Sequence, residues 1–154
     1  MNPQAKLLLD SVTGSGSATN GGTFTSPNID TFGVDYVTID IAATTQSAST
    51  QAGSPSLLKL QESETTVVTS FADVVGFRGG SSASTVLDFV VGVGKTSGVN
   101  AYKFNVDARA RKRYLNVVVS PTTTQTFWVT ANGFRAYPTQ NTAAQAGVLS
   151  LIEG

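Results

Sequence analysis

The chain contains neither cysteine nor histidine. The first absence excludes disulfides and thiolate metal ligands. The second removes the commonest neutral-pH acid–base group, so any catalysis would rest on carboxylates. Charge is also scarce, with only 13% of the 154 residues being Asp, Glu, Lys or Arg, about half the usual globular share. Ten basic residues balance ten acidic ones, so the formal net charge is zero and no global field gathers a polyanion. Direct nucleic-acid binding is accordingly not expected. Long apolar runs are missing as well. Leu7-Leu8-Leu9 is ended by Asp10, short of a signal-peptide core or a membrane span, so neither such a leader nor membrane insertion is expected.

What the chain has instead is strand periodicity. In Tyr36-Val37-Thr38-Ile39-Asp40-Ile41 the three aliphatic residues share one parity and the polar residues the other, as in a half-buried strand. The pattern returns at Leu58 and Leu60, at Leu87, Phe89 and Val91, over Tyr102 to Asp107, and at Leu115, Val117 and Val119 before Pro121. Thr126 to Ala131 supplies a last strand before Asn132-Gly133, which reads as a turn. Arg78-Gly79-Gly80 reads as a break, and Thr66 to Phe71 as a continuation of the ladder. No stretch carries an amphipathic-helix stripe. The expectation is an all-β fold of roughly eight short strands, an antiparallel, jelly-roll-like sandwich with extended termini or loops. Residues 1–22 read as a first strand plus a flexible Gly/Ser-rich loop from Gly14 to Gly22. Residues 23–137 form the sandwich domain, and 138–154 a tail or arm able to add an edge strand or reach another subunit.

Few residues invite a chemical role. Glu62 and Glu64 lie two apart and could share a strand face as paired carboxylates, but solvated residues flanking a hairpin turn are the better account of them. Asp30, Asp35 and Asp40 miss the calcium-loop spacing. Gly92-Val93-Gly94-Lys95-Thr96 ends like a phosphate-binding loop, but Phe89 stands where the pattern needs glycine and no helical run follows. No cofactor or metal is therefore expected, nor enzymatic activity. Arg109, Arg111 and Arg113 recur at alternate positions, with Lys112 among them. In an extended segment their guanidinium groups would line one side. Three readings stay open: pairing with carboxylates of a neighbouring subunit, contact with phosphate, or a solvated face pairing with Asp107 and other local acids. Phe127 and Trp128 are adjacent and must point oppositely in a strand, one into the core and one outward. Tyr114, Phe134 and Tyr137 are candidate core closures or interface anchors. The partner-binding candidates are thus Arg109, Arg111, Lys112, Arg113, Trp128 and Tyr137.

Three segments in order, Tyr36 to Ile41, then Leu58-Lys59-Leu60-Gln61-Glu62-Ser63, then Arg111-Lys112-Arg113-Tyr114-Leu115-Asn116-Val117-Val118-Val119, resemble small structural proteins of tailed bacteriophages. The resemblance spans Phe24 to Phe134. It implies a cement or decoration protein on the outer surface of the virion head, binding the major capsid protein and assembling as a homo-oligomer such as a trimer. Arg111, Lys112 and Arg113 fall on the shared motif, with no catalytic role attached. A carbohydrate-binding or host-recognition module on a tail or spike is the alternative, for which exposed aromatics on a concave patch would speak.

Overall fold

Alternating burial along the strands sorts the chain into two packed sheets. The computed structural model describes residues 4–44, 55–80, 88–91 and 98–135. The strands are β1 (Gln4–Leu9), β2 (Ser15–Ala18), β3 (Phe24–Thr25), β4 (Ile29–Asp30), β5 (Tyr36–Ala43), β6 (Leu57–Ser63), β7 (Ala72–Gly80), β8 (Phe89–Val90), β9 (Asn100–Asp107), β10 (Tyr114–Ser120) and β11 (Gln125–Arg135). Two single 3-10 turns, Val68–Ser70 and Ala108–Ala110, are the helical elements among the described residues.

The first sheet has the order β1-β11-β5-β9, with β2 pairing β11 beyond β1; the second has the order β3-β10-β6-β7-β8, with β4 pairing β10 beside β3. In each sheet one edge is a strand broken in two. β1 and β2 pair successive halves of β11, and β4 and β3 pair the two ends of β10. Counting each broken edge once, and leaving out the two-residue β8, gives eight strands. The first pairs with the eighth and the third with the sixth in one sheet; the second pairs with the seventh and the fourth with the fifth in the other. That is a long antiparallel hairpin rolled over on itself, the jelly-roll form of the β-sandwich. β8 departs from it by pairing parallel to β7.

The core lies between the sheets. Val37, Ile39 and Ile41 of β5, Leu58 and Leu60 of β6, Leu115, Val117 and Val119 of β10 and Phe127 and Val129 of β11 are all buried. Three aromatic contacts join the sheets. Phe24 stacks on Phe127 with ring centroids 5.4 Å apart, and Phe77 and Phe89 meet Phe104 edge-on at 5.6 and 6.4 Å.

Three expected interruptions are packing features instead. Gly14 to Gly22 is not a free loop: Ser15–Ala18 forms β2, and Gly16 faces Phe127 across the ladder where the Phe24 ring leaves no space for a side chain. Gly79 and Gly80 continue β7, because the Phe89 ring lies directly over Gly79. Asn132 and Gly133 continue β11, and Gly133 admits the side chains of Val34 and Leu8, which a β-carbon would strike. In these strands glycine serves close approach, not a turn. Thr66 to Phe71 does not extend the ladder either; a 3-10 turn, in which the Ser70 hydroxyl donates to the Val67 carbonyl at 2.6 Å, makes the reversal into β7. Of the strand expected around Leu87, Phe89 and Val91, residues 88–91 are described, and Phe89–Val90 forms β8. Residues 92–97, with the phosphate-loop-like segment, and the tail at 138–154 lie outside the described residues.

Replacing Phe127, which is fully buried, with alanine should destabilise the fold by about 3–5 kcal/mol in urea or guanidinium unfolding. Trp128→Ala, at the neighbouring outward position, should cost on the order of 1 kcal/mol.

Candidate interaction surface

At one end of the sandwich the register aligns Gln4, Tyr36, Phe134, Arg135 and Asp107 in the first sheet with Asp30, Tyr114, Ser63 and Ala72 in the second. The β9–β10 connection, residues 108–113, crosses from sheet to sheet at this end. Backbone bonds hold it there: Ala108 N donates to Asp35 O at 2.8 Å, and Thr31 N donates to Arg113 O at 2.9 Å. The arginine series therefore sits on a crossover, and Arg109 lies within a 3-10 turn. The segment is not extended throughout, so the expected single row of guanidinium groups does not form.

Each arginine instead meets an acid of its own chain. Arg113 donates from Nε and Nη2 to the two carboxylate oxygens of Asp30 at 2.9 and 2.7 Å. Its guanidinium also lies over the rings of Phe32 and Tyr114, at 5.0 and 4.9 Å. Arg109 grips Asp107 in the same two-pronged way, at 2.9 and 2.7 Å, donates to the Tyr36 hydroxyl at 2.6 Å and lies over that ring. Such bidentate, ring-stacked guanidinium groups are held in one geometry before any partner arrives. Nη1 of both makes no hydrogen bond among the described residues. Arg111 approaches Glu62 at 3.8 Å, and the backbone N–H of Lys112 donates to the same carboxylate at 3.2 Å. Glu62 shares the parity of Leu58 and Leu60 and sits half-buried at the mouth of the core, whereas Glu64 is exposed in the turn beyond β6. The two do not form a facing pair on one strand. The Lys112 ammonium makes no ion pair among the described residues.

The local electrostatics follow from these contacts. The hydrogen bond from Arg113 outweighs partial burial and holds the Asp30 carboxyl below the usual carboxylate range; Arg109 does the same for Asp107. Both arginines are pushed further up by those bonds and stay charged. On the outer face of the second sheet, burial works to raise Asp73, but hydrogen bonds from Lys59 at 2.6 Å and Gln61 at 2.8 Å leave it lowered. Among the described residues no group of three or more acids is placed to hold a metal ion. No described helix is long and apolar enough to cross a membrane.

No protein-family model matches the chain, and no curated protein matches it. Among solved structures it is similar to one described as a novel family GH115 4-O-methyl-alpha-glucuronidase with specificity for decorated arabinogalactans. That alignment has 11% identity and a TM-score of 0.36, covering 91% of this chain and 16% of the other. The chain thus spans about one sixth of that enzyme's length.

The crossover brings Arg109, Arg111, Lys112 and Arg113 to one end, where Arg113 lies over Phe32, which is 72% exposed, and Arg109 over the exposed Tyr36. Sequence reasoning did not single out Phe32, and weighed Asp30 only against a calcium-loop spacing. The available signal was a large aromatic in a turn, Thr31-Phe32-Gly33, with no strand parity to bury it. Trp128 stands apart, on the outer face of the first sheet towards the end opposite the arginines and 36% exposed, while Phe127 faces inward. Tyr137 lies outside the described residues.

Because Asp30, Asp73 and Asp107 all have lowered folded-state pKa values, their contribution is complete above the unfolded carboxylate pKa near about 4 and is lost as pH falls through the folded values. With no histidine to titrate, the unfolding midpoint should stay nearly flat from about pH 8 to 5 and drop below about pH 4. Asp30→Asn should remove part of that acid slope, read by urea titration at each pH.

Proposed function

We propose that this protein is a non-enzymatic structural component of a virion, a cement or decoration protein on the outer surface of a tailed-phage head that bridges and braces major capsid subunits. The observation that carries this reading is the arginine–aromatic end, where an otherwise charge-poor chain gathers fixed guanidinium groups around exposed rings. Aromatic and arginine side chains are the groups that dominate protein–protein contact energies, and here the ordering entropy of the arginines is already spent within the fold. A partner surface of carbonyl and carboxylate oxygens would meet the Nη1 groups, while Phe32 supplies apolar burial. The resemblance of Tyr36 to Ile41, Leu58 to Ser63 and Arg111 to Val119 to phage structural proteins supplies the address.

The acids support an adhesive role over catalysis. Asp30, Asp107, Asp73 and Glu62 are each engaged by a cation or amide of the same chain. Adhesion to a lattice demands little of one copy. A homo-oligomer, with the trimer suggested by the resemblance, would present several such ends at once, and linkage would raise the effective concentration at each further contact. The near-zero net charge suits copies that must lie side by side.

Electron cryomicroscopy of particles carrying this chain should place its density on the head shell; density on a tail fibre and never on the shell would overturn the assignment. In co-sedimentation with undecorated heads, Phe32→Ala and Arg109→Ala should each weaken binding about tenfold or more without altering the fold, as truncation of an interface anchor does.

A further inference from the structure

The two sheets of the sandwich have four edges, and three of them are blunted. β1 is irregular between Leu7 and Leu9, β3 and β4 are two residues each, and β7 is irregular opposite Lys59 to Gln61, with the two-residue β8 beyond it. Breaks and bulges of this kind keep an edge from pairing with another chain. β9 has none. It pairs β5 in unbroken register from Tyr36↔Asp107 to Ala43↔Asn100, and it takes no second strand among the described residues. We infer that β9 is a self-association edge, on which a second copy of this chain lays its own β9 antiparallel across a two-fold axis through Asn105.

Backbone geometry points the required groups outward. Ala108 N donates to Asp35 O just beyond the Tyr36–Asp107 pair, which makes that pair the non-hydrogen-bonded kind of an antiparallel ladder. The N–H and C=O groups of Asp107, Asn105 and Lys103 therefore face away from β5, as strand addition requires. Charge then selects the register and the partner. Lys103, Asn105 and Asp107 alternate along the outer face, and all three are exposed. An axis through Lys103 would set the two lysines opposite each other; one through Phe104 or Val106 would leave Lys103 opposite Asn105 or Arg109. An axis through Asn105 sets Lys103 of each copy opposite Asp107 of the other, twice over, and like charges nowhere meet. Opposite charges placed symmetrically about one residue are what a strand needs to pair with itself, and a foreign strand has no use for that symmetry. Lys103 already meets Asp40 at 3.2 Å and Asp107 meets Arg109 at 2.7 Å, so each new pair joins two existing ones. On the inner face the same register sets Phe104 opposite Val106. Beside this stretch of edge lies a cleft of about 260 Å³, lined by Phe77, Phe89 and Phe104 with Gly76, Lys103 and Asn105. The added strand would close the cleft from the side, with Val106 of the second copy against Phe104, and take the open sides of those rings out of water.

The pairing makes a dimer, where the resemblance to phage proteins suggests a trimer, and it stands without the head-binding reading. Sedimentation velocity of the full chain from about 1 µM to 1 mM should show a reversible shift from the 16.0 kDa monomer to twice that mass, with a Kd below about 100 µM. Lys103→Asp and Asp107→Lys each set like charges opposite and should weaken the dimer at least about tenfold. An equimolar mixture of the two variants restores both pairs in the heterodimer and should recover association close to that of the unaltered chain. Amide exchange tests the edge whether or not those variants fold: the N–H groups of Lys103, Asn105 and Asp107 should exchange at least about tenfold more slowly in concentrated than in dilute samples. Phe32→Ala should leave the dimer intact, so that loss of head binding and loss of the dimer are told apart. The inference is overturned by a monomer up to about 1 mM, by a trimer, by unchanged exchange at the three amides, or by a mixture that associates no more tightly than its parts.

Discussion

The inward row of β11 is the constraint on which the rest of the sandwich depends. From Phe127 through Val129 and Ala131 to Gly133 the side chains shrink along one face of one strand. At the wide end Phe127 receives the Phe24 ring from the opposite sheet, and Gly16 leaves room for that stack. At the narrow end the missing side chain at Gly133 lets Val34 and Leu8 fold over the core. Sheets packed face to face stand about 10 Å apart, so the core thickness must be made up by complementary large and small residues from each side. The taper draws the chain in at the arginine end, where the connections from β4 to β5 and from β9 to β10 cross between sheets.

Those crossovers give the charged residues their partners. A chain with so few charges, in a fold whose outer faces are largely hydroxyl and amide, concentrates its basic residues where the backbone changes sheet. Asp30 and Arg113, 83 positions apart in sequence, meet because β4 pairs the start of β10. Arg109 and Asp107 meet because the 3-10 turn folds the arginine back toward the end of β9. Exposed ion pairs of this kind contribute little to stability individually. Their larger effect is geometric, since a guanidinium fixed by two hydrogen bonds and a ring has few rotamers left to lose when it meets a partner.

The fold class was legible because alternation reports directly on two-faced burial. Val37, Ile39 and Ile41, and likewise Leu115, Val117 and Val119, all point inward as their spacing indicates. Phe127 inward and Trp128 outward follow from the same rule. The glycines misled because one residue type serves both turns and close packing, and only the neighbour across the gap distinguishes them: Phe24 at Gly16, Phe89 at Gly79, Val34 and Leu8 at Gly133. The arginine series misled in a related way. Alternate spacing implies one row only in extended backbone, and the turn at Ala108–Ala110 removed that condition. Phe32 was missed because a residue in a turn has no parity from which exposure can be inferred.

By itself the sequence determined an all-β, two-faced architecture without thiol or imidazole chemistry, because side-chain period and composition are local properties. Tertiary structure decided that Arg113 holds Asp30 and Arg111 approaches Glu62, that the glycines bring layers together, and that Trp128 stands beside Ala42. Those are facts of register and crossover. They arise only when strands distant in sequence are laid side by side, so no single stretch of chain contains them.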